Sequence, residues 1–484
     1  MPDRAQRWLP LVVLAAALAA AGCATVSVTG PDLGGLYTRA AQAGDAIRNP
    51  VIVIPGILGS KLEDEASGRI VWGAFGGDYA DPGRPDGARL LALPMAPGVP
   101  LERLQDRVRA TGALDRVRVR LFGLSIEQQA YLYVLRTLGV GGYRDADLGR
   151  MGQVDYGAGH FTCFQFAYDW RRDNAENARR LHEFILERRA YVQAELRRRG
   201  LPADDVKFDI VAHSMGGLLA RYYLQHGPTP LPEDGSLPPL TWAGARHVER
   251  AVLIGPPNGG SVEALTELVE GTRFPFPLPR YQPAVLGTMP SVYQLLPRAR
   301  HGRVLDAAGR PVDVLDPAVW ERHGWGLAAP SQAEVLAWLL PDVADPAERL
   351  RIAREHQRKA LRRAAQFHAA LDRPATPPEG LTLHLFAGDA TPTPAVAQVD
   401  GDGRLAVRDH APGDGTVTRA SAVLDERVGG PWSARLDSPI AWSDVTFLFS
   451  DHLGMTRDPA FTDNVLFRLL EFTRGRPSPT RPAS

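Results

Sequence analysis

Phe208-Asp209-Ile210-Val211-Ala212-His213-Ser214-Met215-Gly216-Gly217-Leu218-Leu219-Ala220-Arg221 is the stretch on which the fold turns. Lys207 to Ala212 reads as a buried strand and Gly216 to His226 as a helix that Gly227-Pro228 ends. Between them lies a sharp strand–turn–helix, which forces the serine into strained backbone. The residues two away must then be small, and here they are Ala212 and Gly216. A serine presented this way is a nucleophile in search of a base.

Outward from this turn the pattern repeats. Val51-Ile52-Val53-Ile54 is a β-branched run stopped by Pro55-Gly56, Phe161 to Tyr168 is a second, and Arg250 to Ile254 ends at Gly255-Pro256-Pro257. Helices are expected over Glu127 to Leu138 and over Asn174 to Arg199. In the latter Leu181, Phe184, Ile185, Val192 and Leu196 form the apolar stripe. Strands that alternate with amphipathic helices predict a mostly parallel sheet with helices on both faces. Residues 76–100 are a Gly/Pro/Asp-rich excursion. From Gly259 to about Pro374 strand patterning stops, and a long Arg-rich helix runs from Pro346 to Leu371. It returns at Leu381 to Phe386, in a hairpin over Ala395 to Val407, and at Val445 to Phe449 before a terminal helix around Asn464 to Phe472. The expectation is one core over 50–475 with insertions at about 63–125 and 261–375, and a disordered tail at 476–484.

A serine hydroxyl needs a base, and the base needs an orienting acid. With the nucleophile on such a turn, the acid and then the histidine follow it along the chain. Beyond the long helix stand His384, His410 and His452. His384 lies inside a strand, where packing is the plainer reading, and His410 is near Asp414. His452, in Ser450-Asp451-His452-Leu453-Gly454, follows the last strand directly and is favoured. Asp389, after the strand ending at Gly388, and Asp414, in Gly413-Asp414-Gly415-Thr416-Val417, are the acid candidates. An oxyanion also needs two backbone N–H donors. Met215, after the nucleophile, supplies one, and Ile57, in the loop after the first strand, the other.

Six segments stand in one order: Val53 to Glu63, Ala167-Tyr168-Asp169-Trp170-Arg171, the Ser214 turn, Gly255 to Ser261, Gly413 to Val417, and Asp451-His452. Together they resemble the lecithin:cholesterol acyltransferase family. The resemblance implies an α/β-hydrolase fold with cap or lid insertions. It also implies Ser214, Asp414 and His452 as a triad, with Ile57 and Met215 as oxyanion donors. The disulfides of that family's secreted animal members are impossible here. The expected activity is that of a serine acyl-ester enzyme on lipid esters, a lipase, phospholipase or O-acyltransferase. A non-catalytic lipid-binding protein on the same scaffold, or an amidase or peptidase with the same triad, are the alternatives. Phe274, Phe276, Met289 and Tyr293 are expected to wall or cover an acyl site, and Asp169 with Arg171 to brace the core beside it.

Composition narrows the rest. The chain has 484 residues, 44% of them hydrophobic, with 55 Lys+Arg against 55 Asp+Glu. A formal net charge of zero offers no field for nucleic acid. Cys23 and Cys163 are the two cysteines, too few for a disulfide framework or a zinc site, and no motif asks for a metal or cofactor. Arg4 and Arg7 precede the apolar stretch Leu11 to Ala21, which meets Ala20-Ala21-Gly22-Cys23. This resembles a bacterial lipoprotein signal: residues 1–22 would be removed, Cys23 lipidated, and 23–49 left as a tether to the cell-envelope membrane.

Overall fold

A computed structural model describes residues 30–43, 48–73, 80–113, 119–121, 124–126, 129–147, 159–272 and 280–472. Six strands form the central sheet: β1 (Val51–Ile54), β2 (Cys163–Gln165), β3 (Phe208–His213), β4 (Val248–Ile254), β5 (Thr382–Gly388) and β6 (Asp444–Leu448). Their spatial order is β6-β5-β4-β3-β1-β2, and every pairing is parallel. The order reverses at β1, so the crevice beyond the ends of β1 and β3 is where a doubly wound sheet offers a site. Register aligns those ends. Ile54 pairs with Ala212, His213 with Ile254, and Gly388 with Leu448.

Side chains along a strand alternate between faces, so both faces must be covered for such apolar runs to be stable. Ile52, Ile54, Ile210, Ala212, Ala251 and Leu253 pack on one side, under helices α2 (Asn174–Arg198) and α3 (Met215–His226). Val51, Val53, Val211, Val252 and Ile254 pack on the other, under α1 (Leu33–Gln42), the helix Gln129–Val140 and α5 (Pro459–Leu466). Each of these strand residues is at most 4% exposed, so truncating one such Ile to Ala would cost about 2–5 kcal/mol.

The long Arg-rich helix, α4, has the expected bounds, Pro346–Leu371. Asp345 caps it, accepting from the Ala347 N–H, and Pro346 fits the first turn, where a missing N–H costs nothing. Its stripe of Ile352, Ala353, Ala360, Leu361, Ala364 and Phe367 is buried while most arginines face outward. The hairpin is longer than expected, Thr391–Val399 against Leu405–Gly413. A short strand, Arg303–Leu305, pairs with residues 396–398 of it, inside the stretch expected to hold no strand. Pro392 and Pro394 fall outside that pairing, where a missing N–H is harmless. The terminal helix begins five residues early, at Pro459, and closes as a π-helical turn, Phe467–Glu471.

The tether reading of 23–49 needs correction. Residues Leu33–Gln42 form α1, capped by Asp32, and Tyr37 is buried with its hydroxyl donating to Asp463 Oδ1 at 2.6 Å. This segment is folded onto α5, so any tether ends before it. Cys23, the segment 1–22 and the tail 476–484 lie outside the described residues.

Candidate active site

Ser214 sits at the tip of β3 with φ 54° and ψ −127°, one of four non-glycine residues at positive φ among those described. Such backbone is strained for a residue with a Cβ, and the surroundings hold it in place. The Ser214 N–H donates to the Ile254 carbonyl at 2.8 Å, and the Gly217 N–H donates to the Ser214 carbonyl at 2.9 Å. Gly216 has no room for a side chain: a Cβ there would lie 2.4 Å from the Pro55 carbonyl oxygen. The requirement for smallness read from the sequence is therefore backbone contact with the loop after β1. Gly56 repeats it from the other side, since its Cβ would stand 2.8 Å from that of Ser214.

That loop, residues 55–60, is held by aromatic side chains from two other segments. Tyr168 Oη donates to the Pro55 carbonyl at 3.0 Å, Trp72 Nε1 to the Leu58 carbonyl at 2.8 Å, and Trp170 Nε1 to the Ser60 carbonyl at 3.2 Å. The rings of Trp72 and Trp170 meet edge to face with centroids 5.6 Å apart. Leu58 itself has φ 64°, a second strained position beside the first. Under this clamp lies an ionic brace. Arg171, wholly buried, reaches Asp169 at 2.8 Å and Asp106 at 2.7 Å. Burial would raise the Asp169 carboxyl, but Arg171 and Arg172 beside it bring it below its ordinary value.

Beyond the last strand, His452 Nδ1 donates to Asp414 Oδ2 at 2.7 Å. Asp414 reaches it because the hairpin carries the chain out from β5 and back: Thr391 pairs with Gly413, and a Cβ on Gly388 would lie 2.7 Å from that of Asp414. Its other oxygen accepts the N–H groups of Thr416 at 2.9 Å and Val417 at 2.7 Å, so the carboxylate is fixed on both sides. A carboxylate only accepts, which assigns the proton to Nδ1 and leaves Nε2 with its lone pair. That Nε2 is buried and has no hydrogen-bond partner among the described residues. Ser214, Asp414 and His452 are 4%, 2% and 3% exposed, a site shielded from bulk water.

The other candidates are elsewhere. Asp389 pairs with Arg419 at 3.0 Å, His384 is packed inside β5 against Asp444 at 2.6 Å, and His410 is exposed on the hairpin. Met289 and Tyr293 are not a free wall: both are wholly buried in the core. The Tyr293 hydroxyl is used on the Gly287 carbonyl, and its ring lies 5.8 Å from that of Trp320. Apolar patterning alone cannot tell a lid from an internal layer that α4 covers. Phe274 and Phe276 lie outside the described residues. No group of three or more His, Cys, Asp or Glu side chains that could hold a metal occurs among the described residues. Reading the sequence missed Trp72, which sits in the 63–125 insertion just ahead of the excursion, and His213, hidden beside the more conspicuous serine.

The likeness is to the lecithin:cholesterol acyltransferase family. Its model matches residues 148–317, the part that holds the Tyr168–Arg171 segment, the Ser214 turn and Gly255 to Ser261. The match supports an ester-hydrolysing or acyl-transferring enzyme. Among solved structures, a chain of the Tle4–Tli4 complex superposes with a TM-score of 0.54 at 17% identity. The superposition covers 87% of this chain and 98% of that one. The fold is that of the α/β hydrolases. No curated protein sequence matches.

Proposed function

We propose that the protein is a serine acyl-ester enzyme acting on lipid esters through an acyl-Ser214 intermediate. The observation that carries this reading is the Asp414–His452 pair, whose free Nε2 belongs to the same enclosed end of the sheet as the strained Ser214. In the reaction His452 Nε2 takes the Ser214 Oγ proton as Oγ bonds to the ester carbonyl carbon. The carbonyl oxygen becomes an oxyanion that accepts from the N–H groups of Ile57 and Met215. Met215 opens α3, whose first N–H groups have no acceptor within the helix and carry its positive dipole end. Collapse breaks the bond to the leaving alkoxide, which takes the proton from His452. Water or a second alcohol then attacks the acyl-serine by the same route and restores the hydroxyl. Burial of Ser214, Asp414 and His452 keeps bulk solvent from screening these charges, which strengthens the electrostatic terms. The likeness to the acyltransferase family is what favours a lipid ester over an amide or peptide.

The test is covalent. A fluorophosphonate probe should label the wild-type protein at Ser214, and Ser214→Ala should abolish both labelling and turnover of phospholipid or acylglycerol vesicles. A wild-type protein that resists the probe while properly folded would sink the reading.

A further inference from the structure

Between the nucleophile and the base lies a contact that the mechanism above leaves unused. His213, the last residue of β3 and next to Ser214, directs its Nε2 at the backbone carbonyl of His452, 3.0 Å away. A carbonyl only accepts, so Nε2 carries the proton and donates it. The two imidazole rings stand 4.9 Å apart, and both residues are 3% exposed. Burial and the neighbouring His452 push the His213 pKa down to about 3, so the ring is neutral wherever an ester enzyme works.

The need for this contact follows from the way His452 is supported. It comes four residues after the end of β6, past Phe449 and Asp451, which are exposed. Its N–H donates to the Asp414 carbonyl at 2.9 Å and its Nδ1 to the Asp414 carboxylate. Both bonds tie it to the acid and neither ties it to the nucleophile. The bond from His213 does, because the donor belongs to the residue adjoining Ser214. We propose that His213 is a positioning residue that sets His452 against Ser214, fixing the distance over which the proton moves.

This rests on the reading of Ser214 and His452 as nucleophile and base, and the experiment separates the two. His213→Phe keeps the ring volume and removes the donor. His213→Gln keeps an N–H donor near the Nε2 position, because its amide nitrogen reaches about as far. Steady-state kinetics on one ester should show kcat down about 10²-fold in His213→Phe, the scale of a misplacement near 1 Å, with KM little changed. His213→Gln should recover most of that loss. The second readout needs no substrate: the low-field proton resonance of the His452–Asp414 bond. It should broaden or vanish in His213→Phe and persist in His213→Gln. Wild-type kcat together with a wild-type resonance in His213→Phe would overturn the proposal. Should the wild-type protein turn over no ester, the functional reading falls, and the resonance alone still decides whether His213 holds His452.

Discussion

Two aspartates follow β5, and at the residue scale their surroundings separate them. Asp414 has each oxygen engaged, one by two backbone N–H groups and one by His452. Asp389 faces Arg419, whose side chain is half exposed, in a pair of the kind that contributes about 0–1 kcal/mol. Asp414→Asn should therefore lower kcat by about 10⁴-fold, because an amide presents a donor where the Nδ1 proton needs an acceptor. KM should change far less. Asp389→Asn should leave kcat close to wild type. Kinetics of the two variants on one ester check this, and the reverse ranking would make Asp389 the acid. The choice was open from the residues alone. It is the hairpin that brings a position 25 residues later back to the end of β5 and beside His452.

At the scale of elements, the loop after β1 shows how much of the site is held from outside. A four-residue strand cannot by itself fix the loop that follows it, and three aromatic donors do so. Tyr168→Phe removes one donor with little loss of volume. It should cost about 0.5–1.5 kcal/mol in urea unfolding and lower kcat more than it alters KM, because the Ile57 N–H is left less well aimed. Unchanged kcat at reduced stability would confine the clamp to folding. This device was only half legible in the sequence. The segment Tyr168 to Arg171 stood out, but Trp72 lies between turns and shows no period. It comes from the strand Ile70–Trp72, which pairs with Ser60–Asp64 in a small sheet that the Gly/Pro-rich surroundings conceal. β1, α3 and α4 were legible because each carries a clear pattern and clear stops: a β-branched run ended by Pro55-Gly56, a helix ended by Gly227-Pro228, and a one-sided apolar stripe that Asp345-Pro346 opens. Helix α1 was not: Gly34 and Gly35 lower its propensity, and its support comes from α5, more than 400 residues away.

Across the whole molecule, four neutral histidines do the same job at separate places. His213 donates to the His452 carbonyl, His301 to that of Asp425, His356 to that of Thr288 and His368 to that of Gln294, all at 2.9–3.0 Å. Each bond joins segments at least 68 residues apart in the chain, and two of them hang the 288–294 stretch, with its buried Met289 and Tyr293, from α4. Burial lowers their pKa values to about 3 for His213 and His368 and about 4 for His301 and His356. An unfolded chain would bind these protons near pH 6.5, where the folded one refuses them. Stability from this source is fully present above 6.5 and is lost as the pH falls toward 4, by up to about 1.4 kcal/mol per pH unit for each histidine. Asp372 would be raised by its burial, but Arg298 holds it near 2, so its own contribution disappears only below the ordinary carboxylate range. Urea midpoints should accordingly be flat from pH 8 to 7 and decline between 6.5 and 4. His356→Gln, which keeps a donor and cannot titrate, should make that decline shallower. A stability profile that stays level down to pH 4.5 would refute the account, for it would mean the unfolded chain gains no protons that the folded chain excludes.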